Sequence, residues 1–161
     1  MAARVYTVSM SNLTVIANAT LLFINPGTTN SLRVKRIGVS QQGTSTAQQL
    51  GILIQSQVTA FPTVVSATPA RTMPTDAIST ITGATTGAAG TCGVNASANG
   101  AGTKTVIVAD AFNNLNGYLW VATPDEEIWL SAGSASGLAV TLVGTPTTLT
   151  GWNAYLFFEE V

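Results

Sequence analysis

The stretch "SLRVKRIGV", residues 31–39, carries the pattern that decides the fold of this chain. Its first two apolar residues, Leu32 and Val34, alternate with polar neighbours, as in a β-strand with one buried face. The next two, Ile37 and Val39, fall on the opposite parity. A β-bulge at the intervening Lys-Arg pair would turn all four toward one core. The stretch therefore predicts a bulged β-strand.

The rest of the chain repeats this kind of segment. Short runs of β-branched and aromatic residues alternate with Gly, Pro, Asn and Thr, and helical periodicity is almost absent. This pattern is typical of an all-β protein. We expect a single β domain over residues 1–161, either an antiparallel β-sandwich or a jelly-roll-like barrel. The predicted strands are residues 4–10, 20–24, 31–39, 50–58, 104–109, 117–122, 127–132, 137–143 and 152–158.

Two of these strands carry more detailed expectations. In residues 50–58 the apolar side chains alternate with two glutamines, which should lie on the opposite face of the strand. Residues 152–158 are apolar on both faces, because Tyr155 and Phe157 alternate with other large side chains. We expect that last strand to be covered on both sides.

Residues 62–103 differ from the rest of the chain. They are rich in Thr, Ala, Gly and Pro, and no charged residue occurs between Ala77 and Thr103. A segment of this length without clear periodicity is uncommon inside a compact domain. We interpret residues 62–103 as an irregular insertion, a Thr/Ala/Gly-rich loop or arm that becomes ordered on a partner. One helical turn is predicted within it, at residues 76–82.

Charge is scarce. Charged residues make up 8% of the chain and the formal net charge is −1. A neutral surface repels its own copies weakly and therefore favours association. Three of the six Lys and Arg residues, Arg33, Lys35 and Arg36, form the one cluster in the sequence. A phosphate-binding surface needs more cations, so direct binding to nucleic acid is not expected. Residues 5–27 are uncharged but too polar for a membrane span.

The residues that most enzymes use are missing. The chain has no histidine and one cysteine, Cys92. The lack of histidine removes Ser-His-Asp and Cys-His nucleophile systems and the commonest zinc ligand. We therefore predict no catalytic residue, no cofactor-binding residue and no metal ligand, and we expect that the protein is not an enzyme. Cys92 is either a core residue or the site of an intermolecular disulfide.

Residues 110–130, "DAFNNLNGYLWVATPDEEIWL", combine a polar turn with aromatic residues and acids. "NNLNG" predicts the turn before a strand, and "TPDE", which begins at Thr123, fits a capping box for one helical turn. Tyr118 and Trp120 share one face of the predicted strand, in the core or in an interface. A carbohydrate-binding or hydrolytic β-sandwich remains an alternative, in which the site would be formed by Trp120, Trp129 and the acidic residues.

Three segments together resemble a known family. They are the start "MAARVYTV", the middle "DAFN" followed by "GYLWVATPDEE", and the end "YLFFEE". The sequence is similar there to capsid decoration, or cement, proteins of tailed bacteriophages. Members often begin Met-Ala-Arg-x-Tyr-Thr-Val, carry Ala-Phe-Asn ahead of a Trp and a Thr-Pro-acid turn, and close with Glu-Glu. This chain departs by an extra Ala at its start, and residues 62–103 have no clear counterpart.

The resemblance implies a β-rich virion structural protein that binds the outer surface of a phage head and reinforces it. Its partners would be the major capsid protein and further copies of itself, in a small homo-oligomer such as a trimer. No cofactor, direct nucleic-acid partner or membrane is implied. Another phage structural subunit, from the tail or a head fibre, stays open as an alternative.

The expected interface combines strand faces with one strand edge. The edge is residues 4–10, to which a strand of a neighbouring protein could add. The candidate interface residues are Arg4, Tyr6, Arg33, Lys35, Arg36, Tyr118 and Trp120.

Overall fold

The computed structural model describes residues 4–161, and β-strands are their only regular secondary structure. The strands are β1 Arg4–Leu13, β2 Thr20–Asn25, β3 Leu32–Gln41, β4 Gln49–Val58, β5 Thr63–Ser66, β6 Ala70–Arg71, β7 Thr82–Gly83, β8 Thr91–Ala98, β9 Thr103–Asn113, β10 Tyr118–Val121, β11 Ile128–Leu130, β12 Ser136–Val143 and β13 Trp152–Glu160.

The described strands form two sheets packed face to face as a sandwich, without a closed barrel. Sheet A has the order β10-β3-β13-β1-β6, and β11 also pairs with β3. Sheet B has the order β5-β8-β2-β12-β4-β9. Neighbouring strands are antiparallel, except that β7 pairs with β8 in parallel. The all-β sandwich prediction is confirmed, and the barrel alternative is wrong.

The core lies between the inner faces of the two sheets. Sheet A contributes Tyr6, Trp152 and Phe158, and sheet B contributes Ile52 and Leu138, all completely buried. Burying a large apolar side chain is worth about 1.5–3 kcal/mol relative to leaving it exposed. This layer therefore supplies most of the free energy that holds the sheets together.

β3 contains the predicted bulge. In its pairing with β13, Val34 lies opposite Phe158 and Arg36 opposite Phe157, so Lys35 is the extra residue. All four apolar residues that the pattern directs inward are buried in the core. The bulge therefore corrects the change of parity that is visible in the sequence.

Part of the outer face of sheet B, around Phe23, is covered by the chain's own loops. Phe23 on this face packs against Phe61 of the loop after β4, with 5.4 Å between ring centroids. Gln55 and Gln57 lie on the face of β4 that points away from the core, as predicted, yet both are buried. Gln57 Nε2 donates hydrogen bonds to two loop carbonyls, at 3.0 and 3.2 Å.

Residues 62–103 are only in part the irregular segment that their composition predicts. They contain β5 to β8, and β8 lies inside sheet B between β5 and β2. Its small residues conceal the strand periodicity but are required by packing, because a Cβ at Gly93 would lie 2.3 Å from the Val64 side chain. Residues 76–82 form no helical turn and instead lead into β7.

The irregular chain between β6 and β7 is fastened to the sandwich by Glu160. The Glu160 carboxylate accepts hydrogen bonds from the backbone N–H and the hydroxyl of Thr80, each at 3.0 Å, and from the Ser79 hydroxyl. The Tyr6 hydroxyl donates to the carbonyl oxygen of Ala77 at 3.0 Å. Hydrogen bonds to an ionised acceptor are stronger than neutral ones, so Glu160 is the main fastening.

Removing the Glu160 carboxylate should destabilise the protein. Glu160→Ala leaves several donors without an acceptor, and we expect the free energy of unfolding to fall by about 2–4 kcal/mol. Urea unfolding followed by tryptophan fluorescence measures the change. Asp125→Ala, at an exposed turn, is the control and should change stability by less than about 0.5 kcal/mol. Similar losses in the two variants would contradict the fastening role.

Cys92 on β8 belongs to the core. Its side chain is buried and its Sγ lies 3.0 Å from the Ala67 carbonyl oxygen. Burial raises the pKa of the Cys92 thiol to about 12. A buried thiol that stays protonated is a poor nucleophile. The folded protein therefore does not expose Cys92 for an intermolecular disulfide.

We expect Cys92 to be unreactive toward an aromatic disulfide reagent in the native protein and fully reactive in denaturant.

Above pH 9.0, the ordinary thiol value, the unfolded chain loses a proton that the folded chain keeps up to about pH 12. Stability should therefore fall as the pH rises through this window. Cys92→Ala should show a shallower fall, and an identical pH profile would contradict the assignment. Tyr6 and Tyr118, whose pKa values burial also raises, contribute to the slope in both proteins.

Candidate interaction surface

The outward-facing residues of β1, β3, β10, β11 and β13, together with Glu127 directly before β11, are here called the sheet A outer face and form an open, largely apolar surface. Leu119 is 60% exposed, Val121 56% and Trp129 49%. Tyr155 and Phe157 on β13 are half-buried, so the expectation that this strand is covered on both sides is wrong. No second layer of described chain packs there. Large exposed side chains gathered on one face are typical of an interaction site.

The strand register arranges these side chains in rows across sheet A. The rows are Leu119-Gly38-Tyr155, Val121-Arg36-Phe157 and Trp129-Arg33-Glu159. Directly opposite residues in antiparallel strands have Cβ atoms about 4.5–5.5 Å apart, so each row is a line of contacts. Gly38 is required, because a Cβ there would lie 2.3 Å from the Tyr155 ring. Tyr155 therefore lies over β3 and joins the apolar residues of β10 to those of β13.

The bulge in β3 directs two consecutive cations, Lys35 and Arg36, to this face. The Arg36 guanidinium lies 4.4 Å from the centroid of the Phe157 ring and 5.8 Å from that of Tyr155. Arg33 lies 4.6 Å from the centroid of the Trp129 ring. Cation–π contacts at exposed sites contribute about 0.5–1 kcal/mol each. The two arginines are thus held against aromatic rings.

Lys35 is the centre of an ion-pair network. Its Nζ contacts a carboxylate oxygen of Glu127 and, at 2.8 Å, one of Glu159. Burial alone would lower the pKa of Lys35, but hydrogen bonds and charge from the two glutamates outweigh it, so the pKa is raised. Arg33 lies 3.9 Å from Glu127. Within residues 4–161 no ion pair includes Arg36.

The structure places the predicted interface residues in different parts of the molecule. Arg33, Lys35 and Arg36 lie on the sheet A outer face. The assignment of Tyr6 to an interface is wrong, because its parity on β1 points it into the core, where it has no exposed surface. Tyr118 and Trp120 are half-buried against the core from the inner side of β10. Arg4 is exposed opposite Glu160 at the start of β1, off the outer face.

Sequence reasoning missed the apolar residues of the site. Leu119 and Val121 alternate with Tyr118 and Trp120 on β10, so the signal was a short strand that is apolar on both faces. Trp129 lies opposite Arg33 on the outer face, whereas Trp120 faces inward. The carbohydrate-binding alternative thereby loses its paired tryptophans.

The turn at "TPDE" has no helical part. The Glu126 N–H donates to the Thr123 carbonyl oxygen at 3.0 Å, and the Thr123 hydroxyl donates to the Glu126 carboxylate at 2.8 Å. The predicted turn at residues 113–117 is confirmed, with Gly117 at a φ of 73°. That turn leads directly into β10 and so positions one edge of the outer face.

The predicted exposed edge at residues 4–10 is correct only in part. β1 is flanked by β13 and, at Tyr6 and Thr7, by β6. The long strand with one paired neighbour is β9, at the edge of sheet B. Its Val106 and Ile107 side chains are exposed. β9, rather than β1, is the longer edge to which a strand could add.

The described residues contain no group of three or more His, Cys, Asp or Glu side chains placed to hold a metal ion. Among them there is no helix that is long and apolar enough to cross a membrane. No protein-family model, curated protein or solved structure matches this chain. The candidate site therefore rests on its own geometry.

Removing the charge of Lys35 should leave two glutamates without their common partner. For Lys35→Met, which keeps the apolar stem, we expect a loss of about 1–3 kcal/mol in the free energy of unfolding. Because the pKa of Lys35 is raised above its ordinary 10.5, the difference from wild type should persist at neutral pH. On the alkaline side the difference should disappear as the pH rises from 10.5 through that raised value, where Lys35 loses its proton. Urea unfolding at several pH values measures this.

Lys104→Met is the matched control. Lys104 lies on β9 and takes part in no ion pair within residues 4–161. Its replacement should change the free energy of unfolding by less than about 0.5 kcal/mol. If both variants were equally destabilised, the network around Lys35 would have no special role.

Proposed function

We propose that this chain is a virion structural protein that decorates the head of a tailed bacteriophage. In this proposal it binds the outer surface of the capsid shell, contacts the major capsid protein and reinforces the assembled particle. The observation that carries the proposal is the sheet A outer face, an apolar and aromatic surface on a rigid sheet. The sequence resemblance at both ends and at residues 110–127 supports the same conclusion.

The properties of the surface suit binding to a large flat partner. Leu119, Val121 and Trp129 lie on strands rather than on loops, so little conformational freedom is lost when they are buried. The site is open, as is typical of a protein contact, whereas small-molecule sites are enclosed. A face of this kind is better suited to a shell than to a substrate.

Reinforcement follows from mass action. A protein that binds the assembled shell, and not its dissociated subunits, stabilises the shell by an amount that grows with its free concentration. The low charge of the chain supports this role, since identical copies that repel one another weakly can occupy neighbouring sites. Contacts between copies would add to the stabilisation, and the proposal includes a small homo-oligomer.

The proposal is tested on heads of the encoding phage that lack this protein. Purified protein should bind these heads in hundreds of copies at regular outer-surface positions in cryo-electron microscopy, and should raise their melting temperature. Absence from the particle, or binding without any gain in head stability, would refute the proposal. A few copies at the tail would instead support the tail-subunit alternative.

A pair of variants localises the contact. Leu119→Asp introduces a charge into the sheet A outer face opposite Gly38, where no cation can pair with it, and we expect at least about tenfold weaker binding to heads, since the new carboxylate would be buried at the contact. Val106→Asp is the matched control, because Val106 is 49% exposed and lies on the β9 edge of the other sheet. Co-sedimentation with heads measures both. Equal effects would show that the sheet A outer face is not the binding surface.

A further inference from the structure

We infer that Arg36 is the recognition residue of the sheet A outer face and that the partner surface presents an Asp or Glu carboxylate to it. The inference rests on the proposed function for the identity of that partner, the outer surface of the capsid shell. It adds to that function the chemical group, a carboxylate, that the shell must present to Arg36.

The first step is the charge of the face. Three cations, Arg33, Lys35 and Arg36, share it with two carboxylates, Glu127 and Glu159, which leaves one positive charge. Both carboxylates contact Lys35, and Glu127 is also the acid nearest to Arg33. The remaining charge therefore belongs to Arg36, which has no ion-pair partner within residues 4–161.

The second step is the setting of Arg36. It lies in the middle row of the face, between Val121 and Phe157, and its guanidinium is held over the Phe157 ring at 4.4 Å. A partner that covers Val121 and Phe157 must also remove water from this guanidinium. A charge buried without a counter-ion opposes binding strongly, so a purely apolar partner does not fit.

The third step is the choice of counter-ion. A guanidinium donates two parallel hydrogen bonds to a carboxylate, and stacking on a ring fixes its plane before the partner arrives. A nucleic acid would need several unpaired cations, and this face has one. A carboxylate set among apolar residues is therefore the complementary surface.

A second copy of this chain is the less suitable occupant. A symmetric face-to-face dimer would bring Arg36 close to its own equivalent, and such a contact is isologous. The two carboxylates of the face already contact Lys35. The counter-ion must therefore come from a different surface.

Two substitutions test the inference in the head-binding assay. Arg36→Gln should weaken binding at least about tenfold and flatten its salt dependence, as expected when one charge pair across an interface is lost. Arg71→Gln is the matched control, because Arg71 is exposed on β6 and donates to a backbone carbonyl within its own loop. It should bind like wild type. Thermal melting checks that both variants are folded.

A second measurement identifies the acid directly. Arg36→Lys places an amine at the same position, and a water-soluble carbodiimide joins an amine to a carboxylate that touches it, forming an amide while the carbodiimide takes up the water and leaves as a urea. Peptide mass spectrometry of treated heads should find this amine bonded to an Asp or Glu of the capsid protein. Arg71→Lys should give no such product. This measurement still decides the question if Arg36→Gln fails to fold.

The outcomes separate the inference from the proposed function. If wild type binds heads and Arg36→Gln binds equally well, the inference is overturned and the proposed function stands. If wild type does not bind heads, the proposed function is refuted, and the capsid shell is no longer the partner of Arg36. If Arg36→Gln changes the sedimentation of the free protein, the occupant is a second copy and the inference is overturned.

Discussion

One extra residue in β3 is the constraint on which the rest of the molecule depends. Side chains alternate strictly along a strand, so a strand without the bulge at Lys35 would send either its first or its second apolar pair to the solvent. β3 lies between β13 and the β10–β11 edge of sheet A, and the error would spread to both neighbours. The same residue turns Lys35 and Arg36 outward together. The core and the interaction surface are therefore specified by one local feature.

Much of the fold could be predicted because alternation is a local property. The bulge in β3, the inward residues of β4 and the turn before β10 are all visible in short windows of sequence. β8 was hidden because Gly93 and its small neighbours suit the close approach of β5 but carry no apolar signal. Composition alone therefore mistook an interior strand for an arm.

The candidate site was predicted only in part, for a different physical reason. The cationic cluster is contiguous in sequence and was recognised, whereas the aromatic residues that hold it come from β11 and β13. Tyr155 and Phe157 are apolar on the outward parity of β13, and nothing local shows whether another layer covers them. Only the register, which sets Arg36 opposite Phe157, brings the two halves of the site together.

The pairing of β1 with β13 sets Arg4 opposite Glu160, and β3 also depends on β13 for one of its neighbours. During synthesis on the ribosome, sheet A therefore cannot close until residues 152–160 have emerged. The chain between β1 and β13 is almost the whole protein, so bringing these two strands together costs conformational entropy. Proteins dominated by such distant contacts fold slowly. Until then the apolar faces of the early strands stay exposed to solvent, and the partly folded chain is prone to aggregation. Slow synthesis at low temperature, or a chaperone that shields β1 to β4, would accordingly favour recovery of the native protein.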